Sequence, residues 1–340
     1  MSLRGSIGII TGRCMTDADK YVNNKNVCRL NIVVTGTGGQ LGRSIVDALA
    51  GSGHNIFPAT SADLDIRDFS AVESFISSRN ADVVVNCAAW TDVEGAEDSP
   101  EAAAAVNAIA VGNLARVCAA HSTLLIHIST DYVFDGVHFI SSDAPNSDAR
   151  NFDSPDSAPV IPRPYREDDL PCPLNAYGRT KLEGERLVAE AVCPHIIIRT
   201  SGIYSRYGKN YVQTILSLLR TRGEIRVVDD QTTCPTYAGN LARAICGIVC
   251  DTSHYGGRKY IGPTGLFHYA DAPACTWYGF ATEIARISGN TSCRIIPCSS
   301  GEYPAKARRP AYSVLDSERF LSTFGDLGRI DRDTAISECL

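Results

Sequence analysis

The chain has 340 residues, of which 44% are hydrophobic and 21% charged, and its formal net charge at pH 7 is −6. This length and composition predict a globular chain with one sizeable α/β domain and an appended lobe. No basic run is longer than the two residues of Arg308-Arg309. An acidic chain without a longer basic run argues against a dedicated nucleic-acid binder.

The cysteines and the N-terminus indicate the compartment. The 13 cysteines are scattered and contain no C-x-x-C pair, so we expect free thiols in a reducing cytoplasm. We expect no membrane helix, because no segment reaches about 18 apolar residues. Residues 1–29 lack a long apolar stretch and carry Asp17 and Asp19, which argues against a signal or transit peptide. We interpret them as a flexible extension.

From Leu30 onward, short apolar runs alternate with amphipathic stretches. Helices are predicted at about 40–50, 69–79, 99–120 and 176–191. The predicted strands between them are LNIVVTG, HNIFPA, DVVVNCAA, TLLIHIS and HIIIRTS. Buried strands separated by helices are typical of a parallel sheet covered on both faces. The predicted fold class is therefore α/β, with a doubly wound sheet of the Rossmann type.

The chain divides by composition into unequal parts. Residues 30–200 are predicted to form the dinucleotide-binding domain, interrupted by a mobile surface insertion at 137–166 that is dense in Ser, Asp and Pro. Residues 201–340 have shorter helices, such as KNYVQTILSLLR and TWYGFATEIARI. They are predicted to form mainly a smaller substrate lobe, with some segments returning to the first domain.

A glycine loop follows the first predicted strand and opens a helix, with Gly36, Gly39 and Gly42 at the spacing G-x-x-G-x-x-G. In this context the glycines give a tight turn, a close approach of backbone to pyrophosphate, and close helix packing. Because the motif lies between a strand and a helix, it predicts a dinucleotide site rather than a purely structural turn.

The segment after the second predicted strand gives weaker information about the cofactor. Asp65 and Ile66 are candidates to hold the adenine edge, although Asp65 read alone is equally a helix-entry or turn carboxylate. No carboxylate is placed to bind the ribose 2′-hydroxyl, and Arg43 is the nearby cation. This slightly favours NADPH, with NADH as the alternative.

Tyr177 and Lys181 lie four residues apart in NAYGRTK, a spacing shared by Tyr21 with Lys25 and Tyr255 with Lys259. Only Tyr177 begins a predicted helix at the ligand-binding edge of the sheet, which places Lys181 on the same face one turn later. A lysine cation near a nicotinamide ribose would lower the pKa of the phenol and make Tyr177 a usable general acid.

Thr130 directly follows the strand TLLIHI. By the same strand-end argument it is placed to donate a hydrogen bond to a substrate oxygen, with Ser129 as a local turn residue. Asn107, on the long helix, either orients this network or is an ordinary buried amide.

With these residues in place, the chain resembles the extended short-chain dehydrogenase/reductases and, within them, the dTDP-4-dehydrorhamnose reductase family. The resemblance runs from about Leu30 to Leu340, except for the insertion. It rests on GTGGQLG, VNCAAWTDVEGAE, HISTDYVFDG, YREDDLPCPLNAYGRTKLEGE, IIIRTSGIY, DDQTTCPT, TWYGFA and RRPAYSVLD.

The resemblance implies NADPH-dependent or NADH-dependent reduction of the 4-keto group of a dTDP- or UDP-linked 4-dehydro-6-deoxy-L-hexose, which gives activated L-rhamnose. In that family pattern Tyr177 protonates the oxygen, Lys181 holds the ribose and tunes Tyr177, and Thr130 polarises the carbonyl, with Asp131 near the sugar. The implied cofactor contacts are Gly36, Gly38, Gly39, Gln40, Leu41, Gly42, Asp65, Ile66, Cys87, Ala88 and Ala89.

Two positions depart from the family pattern. Gly202 stands where RTSW would place an aromatic residue against the sugar. Ser44 stands where members with a metal-bridged dimer have glutamate, so no such metal bridge is expected, although a homodimer is compatible with the resemblance. Arg308 or Arg309 is the expected cation for the substrate diphosphate.

Two other functions share parts of this pattern. A sugar-nucleotide dehydratase would have an acidic residue after Thr130-Asp131, where this chain has Tyr132; other sugar-nucleotide reductases and epimerases also remain alternatives. The cofactor-binding regulatory subunit of methionine adenosyltransferase keeps much of the site but acts by binding a partner enzyme. The segments RTSGIY and DDQTTCPT favour the reductase.

Overall fold

A computed structural model describes residues 29–137, 162–290 and 292–340. The strands are β1 Asn31–Thr35, β2 Asn55–Ala59, β3 Val83–Asn86, β4 Leu124–Thr130, β5 His195–Thr200, β6 Glu224–Val228, β7 Thr232–Thr233, β8 Tyr255–Gly256, β9 Lys259–Tyr260, β10 Gly265–His268, β11 Cys275–Thr276 and β12 Arg294–Cys298. The α-helices are α1 Gln40–Leu49, α2 Phe69–Ser78, α3 Val93–Asp98, α4 Pro100–Ala104, α5 Ala110–His121, α6 Ala176–Glu190, α7 Tyr211–Thr221, α8 Ala238–Cys250, α9 Trp277–Ile287, α10 Glu318–Phe324 and α11 Arg332–Ser337.

The central sheet has six parallel strands in the order β10-β5-β4-β3-β1-β2. The order of the strands along the sheet reverses between β1 and β3, since β2 lies on one side of β1 and β3 on the other. In open α/β sheets, ligands bind at the carboxyl ends of the strands at such a point. The prediction of a doubly wound α/β fold is confirmed. The edge strand β10 was not predicted, because its sequence GLFH contains no β-branched residue.

Both faces of the sheet are covered, because successive strand residues point to opposite sides. Val34 packs in a core with α1 and α8, whereas its neighbour Val33 packs with α2, α5 and α6 on the other face. Both side chains are fully buried. Burying a side chain of this size contributes about 1.5–3 kcal/mol, so these two layers hold the sheet in place.

A separate core lies in the C-terminal part of the chain. It joins α7 and α9 to the two-stranded β6/β12 sheet, with Phe280 and Tyr204 at its centre. The Asn210 side chain caps α7 by accepting from the Gln213 amide at 3.1 Å, and Thr276 caps α9 by accepting from the Gly279 amide at 3.0 Å. These caps explain where both predicted helices begin.

The alanine-rich helix runs from Pro100 to His121 as α4, a π-helical turn Ala105–Ile109 and α5. The π turn packs against α6, where a Cβ on Gly184 would lie 2.1 Å from the Asn107 carbonyl oxygen. Only glycine permits this approach of the two backbones.

The expectation that no segment is apolar enough to span a membrane was wrong for this helix. Within the described part of the chain, Pro100–His121 is long and apolar enough by length and composition. However, 56% of its apolar window is buried inside the protein. Val111 and Leu114 lie in the core beneath the sheet, so here it packs as a core helix.

The end of the predicted insertion is packed rather than mobile. Tyr165 is buried, its ring stacks on Phe134 with centroids 4.0 Å apart, and its amide donates to the Val314 carbonyl at 2.8 Å. The aromatic pair outweighs the polar composition around it. The remainder of the insertion and the N-terminal extension, except Arg29 and Val137, lie outside the described residues.

We predict that Gly184→Ala lowers the free energy of unfolding by about 1–3 kcal/mol, because the new methyl group meets a rigid backbone carbonyl. Gly279→Ala is the matched helical control, since its Cβ would lie at an ordinary 3.4 Å from Thr276 Oγ1. The control should be neutral or more stable by up to about 1 kcal/mol. Urea unfolding of both variants measures this; equal stabilities would contradict the packing described.

Candidate active site

The candidate site lies at the carboxyl edge of the sheet. The glycine loop follows β1, residues 87–89 follow β3, Thr130 ends β4, and Ser201 and Gly202 follow β5. In open α/β sheets this edge binds ligands.

The glycine loop is shaped to accept a phosphate group. Gly36 has φ +68°, and a Cβ there would lie 2.5 Å from the Ala88 amide nitrogen. A Cβ on Gly42 would lie 2.5 Å from the Gly36 carbonyl oxygen, whereas a Cβ on Gly38 would have no heavy atom of the described residues within 4 Å. Gly36 and Gly42 therefore pack closely against backbone atoms, whereas the loop is open at Gly38.

The N-terminus of α1 carries no competing anion. Its N-cap is Gly39, which offers no side-chain cap, and the first turn, which includes Gln40 and Leu41, contains no acidic residue. Unpaired amides and the helix dipole at such an end favour a phosphate. The residues present therefore fit the pyrophosphate of a dinucleotide.

In the segment after β2, Asp65 has the turn arrangement that was one of its two interpretations. Asp65 forms an exposed ion pair with Arg67 at 2.7 Å, and the hydrogen bond from Arg67 lowers the pKa of Asp65 to about 2. Its neighbour Ile66 is buried. The ion pair supports the turn role of Asp65, and a contact of Asp65 or Ile66 with adenine stays a prediction.

Arg43 lines a 280 Å³ pocket beside the end of β2. Its guanidinium lies 5.8 Å from the centre of the Tyr207 ring, and Pro58 and Thr37 complete the side nearest β2. The pocket adjoins the glycine loop, at the side of the sheet where the ribose of a dinucleotide is held. A cation there suits a 2′-phosphate.

Helix α6 carries the tyrosine and the lysine. Asn175 caps it by accepting from the Gly178 amide at 2.8 Å, and the Asn175 amide group also donates to the Arg308 carbonyl at 2.8 Å. A Cβ on Gly178 would lie 2.1 Å from the Tyr132 carbonyl oxygen. This close approach brings the start of α6, and with it Tyr177, against the end of β4.

The pKa of Tyr177 is raised to about 12, chiefly by burial, and a hydrogen bond with the Thr130 side chain opposes that rise. The sequence interpretation expected Lys181 to lower this pKa. In the structure burial dominates, so the phenol keeps its proton at neutral pH. A protonated phenol is the form that a carbonyl reduction requires.

Lys181 is almost fully buried beneath the edge of the sheet. Its amine donates to the Ile128 carbonyl at 2.6 Å and lies 3.4 Å from His127 Nε2. Burial lowers the pKa of Lys181 to about 8, and the charges of Glu185 and Cys87 oppose this. Cys87 also lies close to the amine, and burial raises the pKa of its thiol to about 12.

Thr130 and Asp131 lie together in a buried polar pocket. The Thr130 hydroxyl donates to Asp131 Oδ1 at 3.2 Å, and the Ser201 hydroxyl donates to Oδ2 at 2.9 Å. Burial raises the pKa of Asp131, while the hydroxyl groups of Ser313, Ser201 and Thr130 oppose the rise. Thr233 belongs to the same network through its contact with Ser201.

A buried ion pair beneath the site was missed in the sequence. Arg199 on β5 and Glu185 on α6 form it at 2.7 Å, with side chains 3% and 7% exposed. Ser129 donates to Glu185 Oε1 at 2.5 Å from within β4, so its prediction as a turn residue was wrong. The available signal was an arginine inside the apolar run HIIIRTS, since buried arginines are paired.

Asn107 bonds to the backbone rather than to the tyrosine or lysine. Its Oδ1 accepts from the Trp90 amide at 2.9 Å, and its Nδ2 donates to the Trp90 carbonyl and to Thr180 Oγ1. Of the two readings, the structure favours a buried structural amide that ties α6 to the π turn.

Trp277 occupies the space next to Gly202. Gly202 has φ +51°, and a Cβ there would lie 3.2 Å from the Trp277 ring. The Trp277 ring of α9 thus lies beside the position where the family pattern has an aromatic residue.

Arg309, rather than Arg308, faces the site. Arg309 pairs with Glu94 at 2.7 Å, and its positive charge opposes the rise that burial causes in the pKa of Tyr132. The Arg308 side chain is exposed, and its backbone carbonyl accepts the hydrogen bond from the Asn175 amide group.

The rival tyrosine-lysine pairs do not form such a site in the described residues. Tyr255 and Lys259 lie on opposite strands of the β8/β9 hairpin, so they do not share a helical face. Tyr21 and Lys25 lie outside the described residues.

The doubly wound sheet, the glycine loop and the helix-borne tyrosine-lysine pair define the class of short-chain dehydrogenase/reductases. The model of the RmlD substrate binding domain family matches residues 30–336. A dTDP-4-dehydrorhamnose reductase of Mycolicibacterium smegmatis is 40% identical over 295 residues, which cover 86% of this chain and 80% of that protein. The chain therefore belongs to the RmlD substrate binding domain family, as the resemblance predicted.

Two solved structures are similar along nearly their whole length. A dTDP-4-dehydrorhamnose reductase from Clostridium acetobutylicum has a TM-score of 0.76 at 36% identity, covering 91% of this chain and 98% of that chain. One from Bacillus anthracis, in complex with NADP, has a TM-score of 0.76 at 30% identity with the same coverage.

We predict that Glu185→Gln lowers the free energy of unfolding by about 3–5 kcal/mol, because it leaves Arg199 buried without a counter-charge. The double variant Glu185→Leu/Arg199→Met should recover most of this loss, since it removes both charges. Thermal and urea unfolding of the single and double variants check the prediction. A single variant as stable as wild type would show that the pair is not desolvated.

Proposed function

We propose that this protein uses NADPH to reduce the 4-keto group of a nucleoside-diphospho-4-dehydro-6-deoxy-L-hexose, giving the activated L-rhamnose. The observation that carries the proposal is the meeting of Tyr177, Lys181 and Thr130 at the sheet edge beside the glycine loop. Family membership and the reductase relatives agree with it. NADPH, when bound, supplies the hydride.

The protein's own groups supply the proton and orient the carbonyl. Tyr177 holds a proton on its phenolic oxygen at neutral pH and gives it to the oxygen that becomes the new hydroxyl. The Thr130 hydroxyl, which donates to Asp131 Oδ1 in the structure, would turn its proton to the same substrate oxygen. Lys181 holds the ribose hydroxyls, and its charge stabilises the phenolate that remains.

The proposed contacts divide between the two sides of the site. Gly36, Gly38, Gly39, Gln40, Leu41 and Gly42 hold the pyrophosphate, and Arg43 favours NADPH over NADH. Cys87, Ala88 and Ala89 would contact the cofactor, and Asp65 and Ile66 would hold its adenine edge. Asp131, Gly202 and Trp277 border the sugar, and Arg309 replaces Arg308 as the proposed diphosphate ligand, because it faces Tyr132.

We assign residues 30–200 to cofactor binding and 201–340 mainly to the substrate lobe. The parallel pairing of β10 with β5 supports the view that part of the second segment returns to the first. A nucleotide sugar is the proposed small-molecule partner. We also propose a cytoplasmic homodimer. The eleven unpaired cysteines among the described residues fit that compartment, and sedimentation velocity tests the assembly.

We predict that Tyr177→Phe lowers kcat about 10²–10⁴-fold while NADPH still binds, because only the transferable proton is lost. Tyr255→Phe is the control, since the Tyr255 hydroxyl has no hydrogen-bond partner among the described residues. NADPH consumption with a 4-keto sugar nucleotide, as the dTDP and UDP forms, measures both variants.

Turnover that survives in Tyr177→Phe would remove Tyr177 from catalysis. NADPH binding by the wild type without turnover of either sugar nucleotide would instead favour a regulatory, cofactor-binding role.

We predict that kcat/KM for NADPH falls about tenfold per pH unit above a pH of about 8, because the pKa of Lys181 is about 8 and the charged form is needed. The pKa of Tyr177, about 12, lies too high to cause this decline. Lys181→Arg should be less active but lack the decline, since a guanidinium stays charged. A wild-type profile that is flat to pH 10 would contradict the role given to Lys181.

A further inference from the structure

A row of buried polar side chains crosses the otherwise apolar sheet beneath the site. Thr35 on β1 is in register with Asn86 on β3, and Asn86 is in register with His127 on β4. All three are at most 1% exposed. The row ends at Lys181, which reaches down from α6. Buried polar groups are costly unless they are paired, so the row has one well-defined hydrogen-bond pattern.

The orientation of the Asn86 amide is fixed by two donors. Asn86 Oδ1 accepts from the Thr35 hydroxyl at 2.7 Å and from the Ala88 amide at 3.2 Å. The Nδ2 group therefore points the other way, 3.0 Å from His127 Nδ1. An amide NH₂ has no acceptor, so His127 Nδ1 must accept its hydrogen bond.

This contact determines the tautomer of His127. Burial, with a contribution from the charge of Lys181, holds the pKa of His127 well below its ordinary value, so the imidazole is neutral. A neutral imidazole whose Nδ1 accepts carries its proton on Nε2. That N–H faces the Lys181 amine across 3.4 Å.

The two protonation states of Lys181 meet this N–H differently. An ammonium group has only donors, so it would face His127 donor to donor. A neutral amine accepts from the imidazole N–H while donating to the Ile128 carbonyl at 2.6 Å. Besides His127 and Tyr177, the titratable groups near Lys181 are the Cys87 thiol and the Glu185 carboxylate, and that carboxylate is already bound to Arg199 and Ser129.

We propose that His127 is a positioning residue for Lys181: in the tautomer that Asn86 imposes, it favours the neutral amine, so that NADPH binding draws one proton from solvent onto Lys181. The proposal rests on the function proposed above, because it takes the ribose hydroxyls as the groups that the charged lysine binds. The proton ends on Lys181 Nζ, and no other bond changes.

The test measures protons taken up when NADPH binds, by calorimetry at pH 9 in two buffers of different ionisation enthalpy. At this pH the 2′-phosphate is fully ionised, and a lysine of pKa about 8 is mostly neutral. Wild type should take up about 0.8 proton per NADPH, falling to about 0.2 at pH 7.5. An uptake below about 0.2 at pH 9 would overturn the proposal.

Two variants distinguish the effect of His127 on the protonation of Lys181 from the effect of burial alone. In Asn86→Asp the carboxylate still accepts from Thr35 and Ala88. It also accepts from His127, whose proton therefore moves to Nδ1. The Nε2 atom then presents its lone pair to the Lys181 ammonium group. His127→Phe removes the N–H without adding charge. Both should reduce the uptake at pH 9, to about 0.3 or less in Asn86→Asp.

His268→Phe is the matched control, because His268 is an equally buried imidazole in β10 that bonds to the Tyr165 carbonyl. Its uptake should equal that of wild type. Unchanged uptake in both His127→Phe and Asn86→Asp would overturn the role of His127. Normal uptake without turnover of a sugar nucleotide would reject the proposed function while leaving this inference standing.

Discussion

The parallel register of β1, β3 and β4 is the constraint on which the site depends. It places Thr35 beside Asn86 and Asn86 beside His127, and it brings the ends of these strands to one edge. A slip of one residue would turn each side chain to the other face of the sheet. The glycine loop and the row of polar side chains beneath Lys181 would then no longer face the same site.

The site also requires that helix α6 hold its side chains at a fixed distance from the sheet. Tyr177, Lys181 and Glu185 are spaced by one turn each. Glu185 is held from below by Arg199 and Ser129, so the buried ion pair fixes the position of the reactive residues above it. A pair of this kind adds little net stability but strongly disfavours other arrangements of the helix.

The protonation states follow from burial more than from neighbouring charge. Burial raises the pKa of Tyr177 and lowers that of Lys181, which favours the neutral form of each. The same desolvation would make any ion pair between Lys181 and the phenolate stronger than in water. The site therefore keeps its proton donor neutral until charge develops on the substrate oxygen.

The strands of the first domain were predictable from sequence, because continuous β-branched runs such as VVVN and IIIR indicate strands buried on both faces. Strand β10 reads GLFH and contains no β-branched residue, and the six residues of α3 are too few to show a helical period. The packing of Tyr165 depends on Phe134, a contact that polar neighbours in sequence conceal.

The site was predictable to a different extent. Spacing and strand ends were sufficient to nominate Tyr177, Lys181 and Thr130, whose roles stay predictions. Sequence gave no means of choosing Arg309 over Arg308, because the choice depends on which side chain meets Glu94. The tautomer of His127 was beyond reach, since it is determined by a hydrogen bond from a neighbouring strand.

The central claim is hydride transfer to the sugar C4, and isotope transfer tests it most directly. NADPH carrying deuterium at C4 of the nicotinamide, on the face that is transferred, is incubated with the 4-keto sugar nucleotide, and the product is analysed by NMR. The account predicts about one deuterium at C4 of a product with the L-rhamno configuration. Product lacking deuterium at C4, or no product from a protein that binds NADPH, would contradict it.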